Sequence, residues 1–85
     1  MTVVSIVPGC FGELAAIIAD VADVPLDAVK HDAGLFDLCA DNLELMLVVL
    51  NAEEKFCIEI TDSEVEDLLN VGQLAALINR KRVLL

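Results

Sequence analysis

Few side chains in this sequence have the types and spacing that chemistry at an active site needs. The 85 residues include Cys10, Cys39 and Cys57, one histidine, His31, and no C-x-x-C pair. This odd count and wide spacing argue against a disulfide framework or a zinc site. We expect the three thiols to pack as small apolar groups, with Cys39 and Cys57 as the alternatives for a reactive thiol. His31 lies in a polar stretch typical of a surface residue. Because no nucleophile, base and orienting residue converge in the sequence, we predict that the protein is not an enzyme.

Acidic side chains are far more abundant than basic ones. Fifteen Asp and Glu against five Lys and Arg give a formal net charge of -10, and nine of the acids but only Lys55 among the bases fall within residues 41–67. Phosphate groups repel such a chain, so we expect neither nucleic acid nor an anionic membrane as a partner. Basic patches on other proteins are the expected targets. No EF-hand spacing is present, so we expect no metal site.

The first element that must position these groups is predicted to be a helix over residues 11–22. An apolar stripe at i, i+3, i+4 and i+7 indicates it, and the Asp-Val-Pro sequence at 23–25 ends it. Residues 25–40 then form a long loop, with one helical turn expected at 25–29. The stripe consists of Leu14, Ile17, Ile18 and Val21. The apolar residues expected to anchor the loop are Leu26, Val29, Leu35, Phe36 and Leu38.

The clearest helix start lies at residues 41–44. The Asp41 side chain can accept hydrogen bonds from free N–H groups, and Glu44, three residues later, completes a capping-box pattern. Acids at this position also suit the positive end of the helix dipole. We therefore predict a second helix from Asp41 to Lys55 or Phe56.

Two further helices complete the predicted fold. After an extended link at 58–60, Thr61 and Glu64 form a second capping box, which starts a short third helix ending near Leu68. The fourth helix follows the Val-Gly-Gln-Leu sequence at 71–74 and ends near residue 80, where basic residues suit the helix dipole.

The predicted fold class is all-α, a four-helix bundle with one short third helix and a long loop between helices one and two. We expect an N-terminal arm at 1–10, one domain at 11–80 and a C-terminal tail at 81–85. The cysteine usage fits a reducing compartment, so the expected location is cytoplasmic. The predicted core consists of Leu14, Ile18, Val21, Leu35, Phe36, Met46, Leu50, Phe56, Ile58, Ile60, Leu68, Leu74 and Ile78.

The order of these features resembles the acyl carrier protein family, including the carrier domains of polyketide and peptide synthesis. The resemblance covers residues 11–80 and rests on the sequences LFDLCADNLELM at 35–46, EEKF at 53–56, IEITD at 58–62 and Val-Gly-x-Leu at 71–74. It implies that a Ser at the start of the second helix, in Gly-x-Asp-Ser-Leu, receives 4′-phosphopantetheine. The thiol of that arm then carries an acyl chain as a thioester. A helix N-terminus stabilises the phosphate.

The attachment motif is altered in this chain. Cys39 stands at the family's Gly and Asn42 at its acceptor Ser, whereas Asp41 and Leu43 match. An Asn side chain has no hydroxyl group and cannot form the phosphodiester. We therefore expect no cofactor on this chain, and 4′-phosphopantetheine only if position 42 were Ser. Asn42 also has a structural interpretation, since Asn is a favoured helix N-cap.

Two alternatives stay open at this stage. Asp62 and Ser63 repeat the Asp-Ser pair at the start of the third helix, which makes Ser63 a second acceptor hypothesis, but Glu64 follows where the family has an apolar residue. The Asn42 itself is either a feature of a natural paralogue or an introduced change. The additional departure at Cys39 favours the paralogue.

The resemblance also implies a docking face on the second helix, formed by Asp41, Glu44, Leu47 and Glu54. Leu47 stands where the family commonly has an acid. Apolar residues cover nearly the whole circumference at 43–50, so we predict that Leu47, together with Leu45, is exposed and supports self-association or hydrophobic docking.

The implied function is that of an acyl-carrier-like protein of fatty-acid, lipid or polyketide metabolism, docking through helix two. Its implied partners are a phosphopantetheinyl transferase and acyl-processing enzymes. The alternative is an arm-free interaction module or self-associating scaffold that has kept the carrier fold.

Overall fold

Helices make up most of the computed structural model, which describes residues 10–83. The elements are α1 (Phe11–Ala22), a 3₁₀ turn (Leu26–Ala28), α2 (Leu35–Leu38), α3 (Asn42–Phe56), α4 (Asp62–Glu66) and α5 (Val71–Val83). Within these residues the only β-type pairing is an isolated antiparallel bridge between Gly34 and Asn70. The predicted all-α fold is confirmed: α1, α3 and α5 are the longer helices and α4 is the short one. The one-turn helix α2 was not predicted.

The ends of the chain lie partly outside this description. Of the predicted arm at 1–10, only Cys10 belongs to the described residues, and the last two residues of the predicted tail at 81–85 fall outside them. None of the described helices is long and apolar enough to cross a membrane.

Helix α1 has the predicted bounds, and its end is set by local geometry. Asp23 adopts a left-handed conformation with φ 58°, which turns the chain out of the helix. The N–H of Val24 then donates to the carbonyl of Ala19 at 3.2 Å. Asp tolerates this conformation better than most residues with a Cβ, and Pro25 prevents the helix from continuing.

The core is formed mainly by α1, α3 and α5 together with three residues of the long loop, Val29, Leu35 and Cys39. Leu14 and Ile18 of α1 and Leu74 and Ile78 of α5 are fully buried, as predicted. Of the five predicted loop anchors, Val29 and Leu35 are buried and Leu38 is half-buried, whereas Leu26 and Phe36 are exposed.

The predicted core residues of α3 were partly wrong. Met46 and Leu50 are exposed by 41% and 52%, and Phe36 before the helix by 59%. The buried face is shifted by one residue from the predicted one, since Leu45 and Val49 are buried in place of Met46 and Leu50. The buried residues have the spacing i, i+3, i+4, i+7, i+11. This stripe consists of Leu45, Val48, Val49, Ala52 and Phe56.

Backbone hydrogen bonds hold the long loop against the start of α5. The N–H of Leu35 donates to the carbonyl of Leu69 at 3.0 Å, and the N–H of Val71 donates to the carbonyl of Ala33 at 3.0 Å. The N–H of Gly72 donates to the carbonyl of His31 at 2.8 Å, an approach so close that an added Cβ would lie 3.0 Å from that oxygen. These bonds place α2, and with it the start of α3, beside the link between α4 and α5.

Candidate functional site

The start of α3 is capped by Asp41, as predicted. The Asp41 Oδ1 atom accepts a hydrogen bond from the N–H of Glu44 at 3.0 Å. The Glu44 Oε1 atom accepts from the N–H of Ala40 at 2.8 Å, one residue earlier than in a standard capping box. Since Asp41 is the N-cap, the interpretation of Asn42 as the cap was wrong. Asn42 is the first residue within the helix, and it is exposed.

Asn42 lies beside an open groove between α3 and α4. The groove has a volume of about 330 Å³ and combines buried Leu45 with the exposed carboxylates of Asp62 and Glu66. Its remaining lining residues are Met46 and Val65. Position 42 is therefore accessible from solvent, as an attachment point would have to be.

The residues at this helix start do not fit covalent attachment of the prosthetic group that the resemblance implies. The Asn42 side chain ends in a carboxamide, which lacks the hydroxyl that a phosphodiester needs. Among the described residues, hydroxyl groups occur only on Thr61 and Ser63. The Thr61 hydroxyl donates to the Glu64 carboxylate and accepts from the Glu64 N–H, both at 3.2 Å. Ser63, the second residue of α4, is exposed.

Cys39 occupies the family's Gly position without backbone strain. Its φ is -89°, a conformation open to any L residue, and its side chain is buried. Burial, together with the carboxylates of Glu44 and Asp41, raises the pKa of the Cys39 thiol above its ordinary value. This thiol therefore stays protonated at neutral pH, which makes it a poor nucleophile.

The other cysteines differ in exposure. Cys10 is buried, its thiol donates to the carbonyl of Ala75 at 3.3 Å, and burial raises its pKa. Cys57 is exposed and has a left-handed conformation with φ 56°, so the expectation that it packs in the core was wrong. Of the two reactive-thiol candidates, only Cys57 is accessible.

The predicted docking residues lie on one helix but differ in exposure. Asp41 and Glu54 are exposed, Glu44 is half-buried, and Leu47 is 43% exposed. The prediction that Leu47 is exposed is confirmed. The same prediction for Leu45 was wrong, because this side chain is buried against the core and only 4% exposed.

An apolar stripe on the outer face of α3 was missed in the sequence. Leu43, Met46, Leu47 and Leu50 are spaced i, i+3, i+4, i+7 and are all at least 41% exposed. The spacing is visible in the sequence, but the buried stripe on the opposite face has the same period. Neither stripe could therefore be assigned to the core from spacing alone.

Two other features of the sequence remain separate from this site. His31 is exposed, as predicted, and its ring stacks on that of Phe11 with 3.8 Å between centroids. Among residues 10–83, no three His, Cys, Asp or Glu side chains converge in a way that could hold a metal ion.

Comparison with known proteins agrees with the all-α fold. A family model described as "Phosphopantetheine attachment site" matches residues 12–78. The chain belongs to the acyl carrier protein family. It is 40% identical over 68 residues to an acyl carrier protein of Kineococcus radiotolerans, which covers 79% of this chain and 84% of that protein. An acyl carrier protein of Campylobacter hominis is 39% identical over 69 residues, 80% of this chain and 87% of that protein.

Family membership carries consequences at a coarse level. Acyl carrier proteins are carriers rather than enzymes, and 4′-phosphopantetheine is the prosthetic group of the family. Phosphopantetheinyl transferases and acyl-processing enzymes are the partners that the family implies.

Proposed function

We propose that this protein is an acyl carrier family member of fatty-acid, lipid or polyketide metabolism that docks on acyl-processing enzymes through α3 and does not carry the 4′-phosphopantetheine arm at position 42. The observation that carries this proposal is the exposed carboxamide of Asn42 at the first position of α3, between Asp41 and Leu43. The motif neighbours Asp41 and Leu43 are present, but the hydroxyl nucleophile is absent.

The backbone around position 42 supports a loss of chemistry rather than a loss of structure. Asp41 and Glu44 cap the helix with hydrogen bonds of 3.0 Å and 2.8 Å, so the helix start is ordered without any contribution from Asn42. A Ser at this exposed position would need no change in the core. Restoring the hydroxyl should therefore restore the attachment geometry.

The charges on α3 support docking on a basic protein surface. The side chains of Asp41 and Glu54 are exposed near the two ends of the helix, and Glu44 lies between them. Such an arrangement steers association with a positively charged partner and makes it sensitive to salt. The free thiols of the described residues are consistent with a reducing cytoplasm, which we propose as the location.

The proposal is tested by intact mass after incubation with coenzyme A and a broad-specificity phosphopantetheinyl transferase. We expect no mass change for the unaltered protein and a gain of one 4′-phosphopantetheine arm for Asn42→Ser. Asn42→Ala is the matched control, since it removes the carboxamide without supplying a hydroxyl. A mass gain on the unaltered protein would overturn the proposal, and Ser63 would be the first residue to map.

The second candidate is an arm-free interaction module whose recognition surface has changed as well. The exposed Leu47 favours it, because an apolar residue stands where the family commonly has an acid. In that case Asn42→Ser stays unmodified although its helical circular dichroism matches that of the unaltered protein. Modification of Asn42→Ser after a further Leu47→Glu change would then identify Leu47 as the cause. Self-association through Leu45 is not favoured, because Leu45 is buried.

A further inference from the structure

The three most exposed large apolar side chains of the described residues lie on three different elements. Phe36 on α2 is 59% exposed, Leu43 on α3 is 68% exposed, and Leu69 in the link between α4 and α5 is 70% exposed. We call these three residues the end patch. Isolated exposed apolar residues are ordinary in soluble proteins, but several at one place mark an interaction surface.

The fold brings the three elements of the end patch to one end of the bundle. Backbone pairing joins α2 to the link, since the N–H of Leu35 donates to the carbonyl of Leu69 at 3.0 Å and Gly34 forms an antiparallel bridge with Asn70. Helix α2 packs against α3, whose first turn contains Leu43. The end patch therefore lies at the end of the bundle where α3 begins.

The core does not need the end-patch side chains. Leu35 precedes Phe36 and is fully buried, and Leu68 precedes Leu69 and is 9% exposed. Each pair thus directs one apolar side chain into the core and the next one into solvent. Because the inward residue already fills the core, the outward residue contributes little to folding and is available for contact.

The charged side chains that neighbour the end patch in sequence are acidic. Asp37, Asp41, Glu44, Glu66 and Asp67 lie close to it in sequence, whereas residues 31–54 and 56–79 contain no Lys or Arg. A second copy of this chain would bring two acidic rims together, and nucleic acids or anionic membranes would be repelled in the same way. Charge complementarity selects one kind of occupant, a protein surface whose apolar centre is flanked by basic residues.

We propose that Phe36 and Leu69, together with Leu43, form an apolar anchor that packs against an apolar protein surface flanked by Lys and Arg. The inference rests on the proposed function only in taking protein docking as the task. It adds α2 and the link between α4 and α5 to the surface, neither of which belongs to the docking face predicted on α3. A ring-bearing anchor surrounded by charged residues is the usual composition of an energetically important interface centre.

The test uses variants that remove apolar surface without adding charge. Phe36→Ser, Leu69→Ser and the double variant are compared with Leu26→Ser, a matched control because Leu26 is 57% exposed on the 3₁₀ turn. The probe is a synthetic amphipathic helix of about 18 residues, with Leu at i, i+3, i+4 and i+7 and Lys on its flanks. The same peptide with Glu in place of Lys is the charge control.

Isothermal titration calorimetry at about 0.15 M salt measures the affinity of each variant for the two peptides. We expect the full-length protein to bind the Lys peptide and not the Glu peptide, the double variant to bind about tenfold more weakly, and Leu26→Ser to stay within about twofold. Equal affinity of the double variant, or an equal loss in Leu26→Ser, would overturn the proposal. A concentration-dependent dimer that Phe36→Ser dissolves would show instead that the occupant is a second copy.

These outcomes are separate from those of the proposed function. A mass gain on the unaltered protein would overturn the arm-free function and leave the peptide affinities unchanged. Equal peptide affinity of the Phe36 and Leu69 variants and the unaltered protein would overturn the anchor proposal and leave the mass result unchanged. Both residues are exposed, so circular dichroism of each single variant should match that of the unaltered protein.

Discussion

Helices α3 and α4 begin with nearly the same hydrogen bonds but surround different chemistry. At α3 the N–H of Glu44 donates to Asp41 at 3.0 Å, and at α4 the N–H of Glu64 donates to Thr61 at 3.2 Å. Each glutamate in turn accepts from a preceding backbone N–H, that of Ala40 at 2.8 Å and that of Thr61 at 2.9 Å. Both starts therefore have ordered N–H groups.

The two helix starts differ in the residues that come after the cap. After Asp41 come Asn42 and the exposed Leu43, on a 15-residue helix with a buried face. After Asp62 comes the exposed hydroxyl of Ser63, on a helix of five residues with no buried side chain. The start of α3 retains the family's neighbouring Asp and Leu without the nucleophile. The start of α4 has the nucleophile and the preceding Asp, but Glu64 follows where the family has an apolar residue. We therefore expect a capped helix start to be insufficient for an attachment site.

The largest expected effect is on attachment of the arm, and it tests whether the local motif alone suffices or the surrounding helix is also needed. Glu64→Leu places an apolar residue after Asp62 and Ser63, which reproduces the Asp-Ser-Leu order of the family motif at the start of α4. We expect no mass gain with coenzyme A and a phosphopantetheinyl transferase, whereas Asn42→Ser gains one arm. The reason is that α4 is short and loses its capping glutamate in this variant.

Glu64→Gln serves as the control for this experiment, because Gln can keep the capping bond but leaves a polar residue after Ser63. Attachment of the arm to Ser63 in Glu64→Leu would show that the Asp-Ser-Leu sequence at a helix start suffices for modification by the transferase. The different settings of the two helix starts would then have no influence on attachment.

The next effect, in size, is on stability. Asp41→Ala should lower the free energy of unfolding by about 1 kcal/mol, because it leaves the N–H of Glu44 without its side-chain acceptor at the start of a core helix. Thr61→Ala removes the corresponding hydrogen bond, from the N–H of Glu64 to the Thr61 hydroxyl. This change should lower the free energy of unfolding by only about 0.5 kcal/mol, since α4 buries no side chain and can unfold locally. Urea unfolding of both variants measures the difference, and a larger loss for Thr61→Ala would contradict it.

How much was predictable depends on whether the signal is local. The start of α3 and the box at Thr61 follow from side chains within four residues of each other, and the bounds of α1 follow from one apolar stripe and the Asp-Val-Pro sequence after it. All three predictions were confirmed. The inward face of α5 was also predictable, because its polar residues leave only one apolar stripe. Local rules of capping and periodicity suffice where few alternatives compete.

The outward face of α3 could not be predicted in the same way. Apolar residues occupy position 43 and all of 45–50, so any face of the first turns could be the buried one. Packing against α1 and α2 selects Leu45 and Val48 for the core, which leaves Met46 and Leu50 in solvent. The exposure of Phe36 depends in turn on pairing between Leu35 and Leu69, a contact across 34 positions of sequence. Asn42 was identified as a site residue only from its position in the family's Gly-x-Asp-Ser-Leu motif.

The smallest expected effect concerns charge at the start of α4. The hydrogen bond from the N–H of Thr61 and the Lys81 ammonium, 3.1 Å from the Glu64 carboxylate, lower the pKa of Glu64 below its ordinary value of 4.5. A carboxyl group with a lower pKa in the folded state stabilises the protein above the unfolded pKa. That stabilisation is lost as the pH falls through the folded value.

Glu64→Gln isolates this contribution, since it can retain the capping bond and removes only the charge. We expect Glu64→Gln to be slightly less stable than the unaltered protein at about pH 7, and the difference to vanish as the pH falls below the lowered pKa of Glu64. The effect should be small and salt-sensitive, because the ion pair is partly exposed to solvent. Urea unfolding at neutral and acidic pH measures it. A difference that stays constant with pH would show that α4 is held by its neutral hydrogen bonds alone, which would make its start more like that of α3.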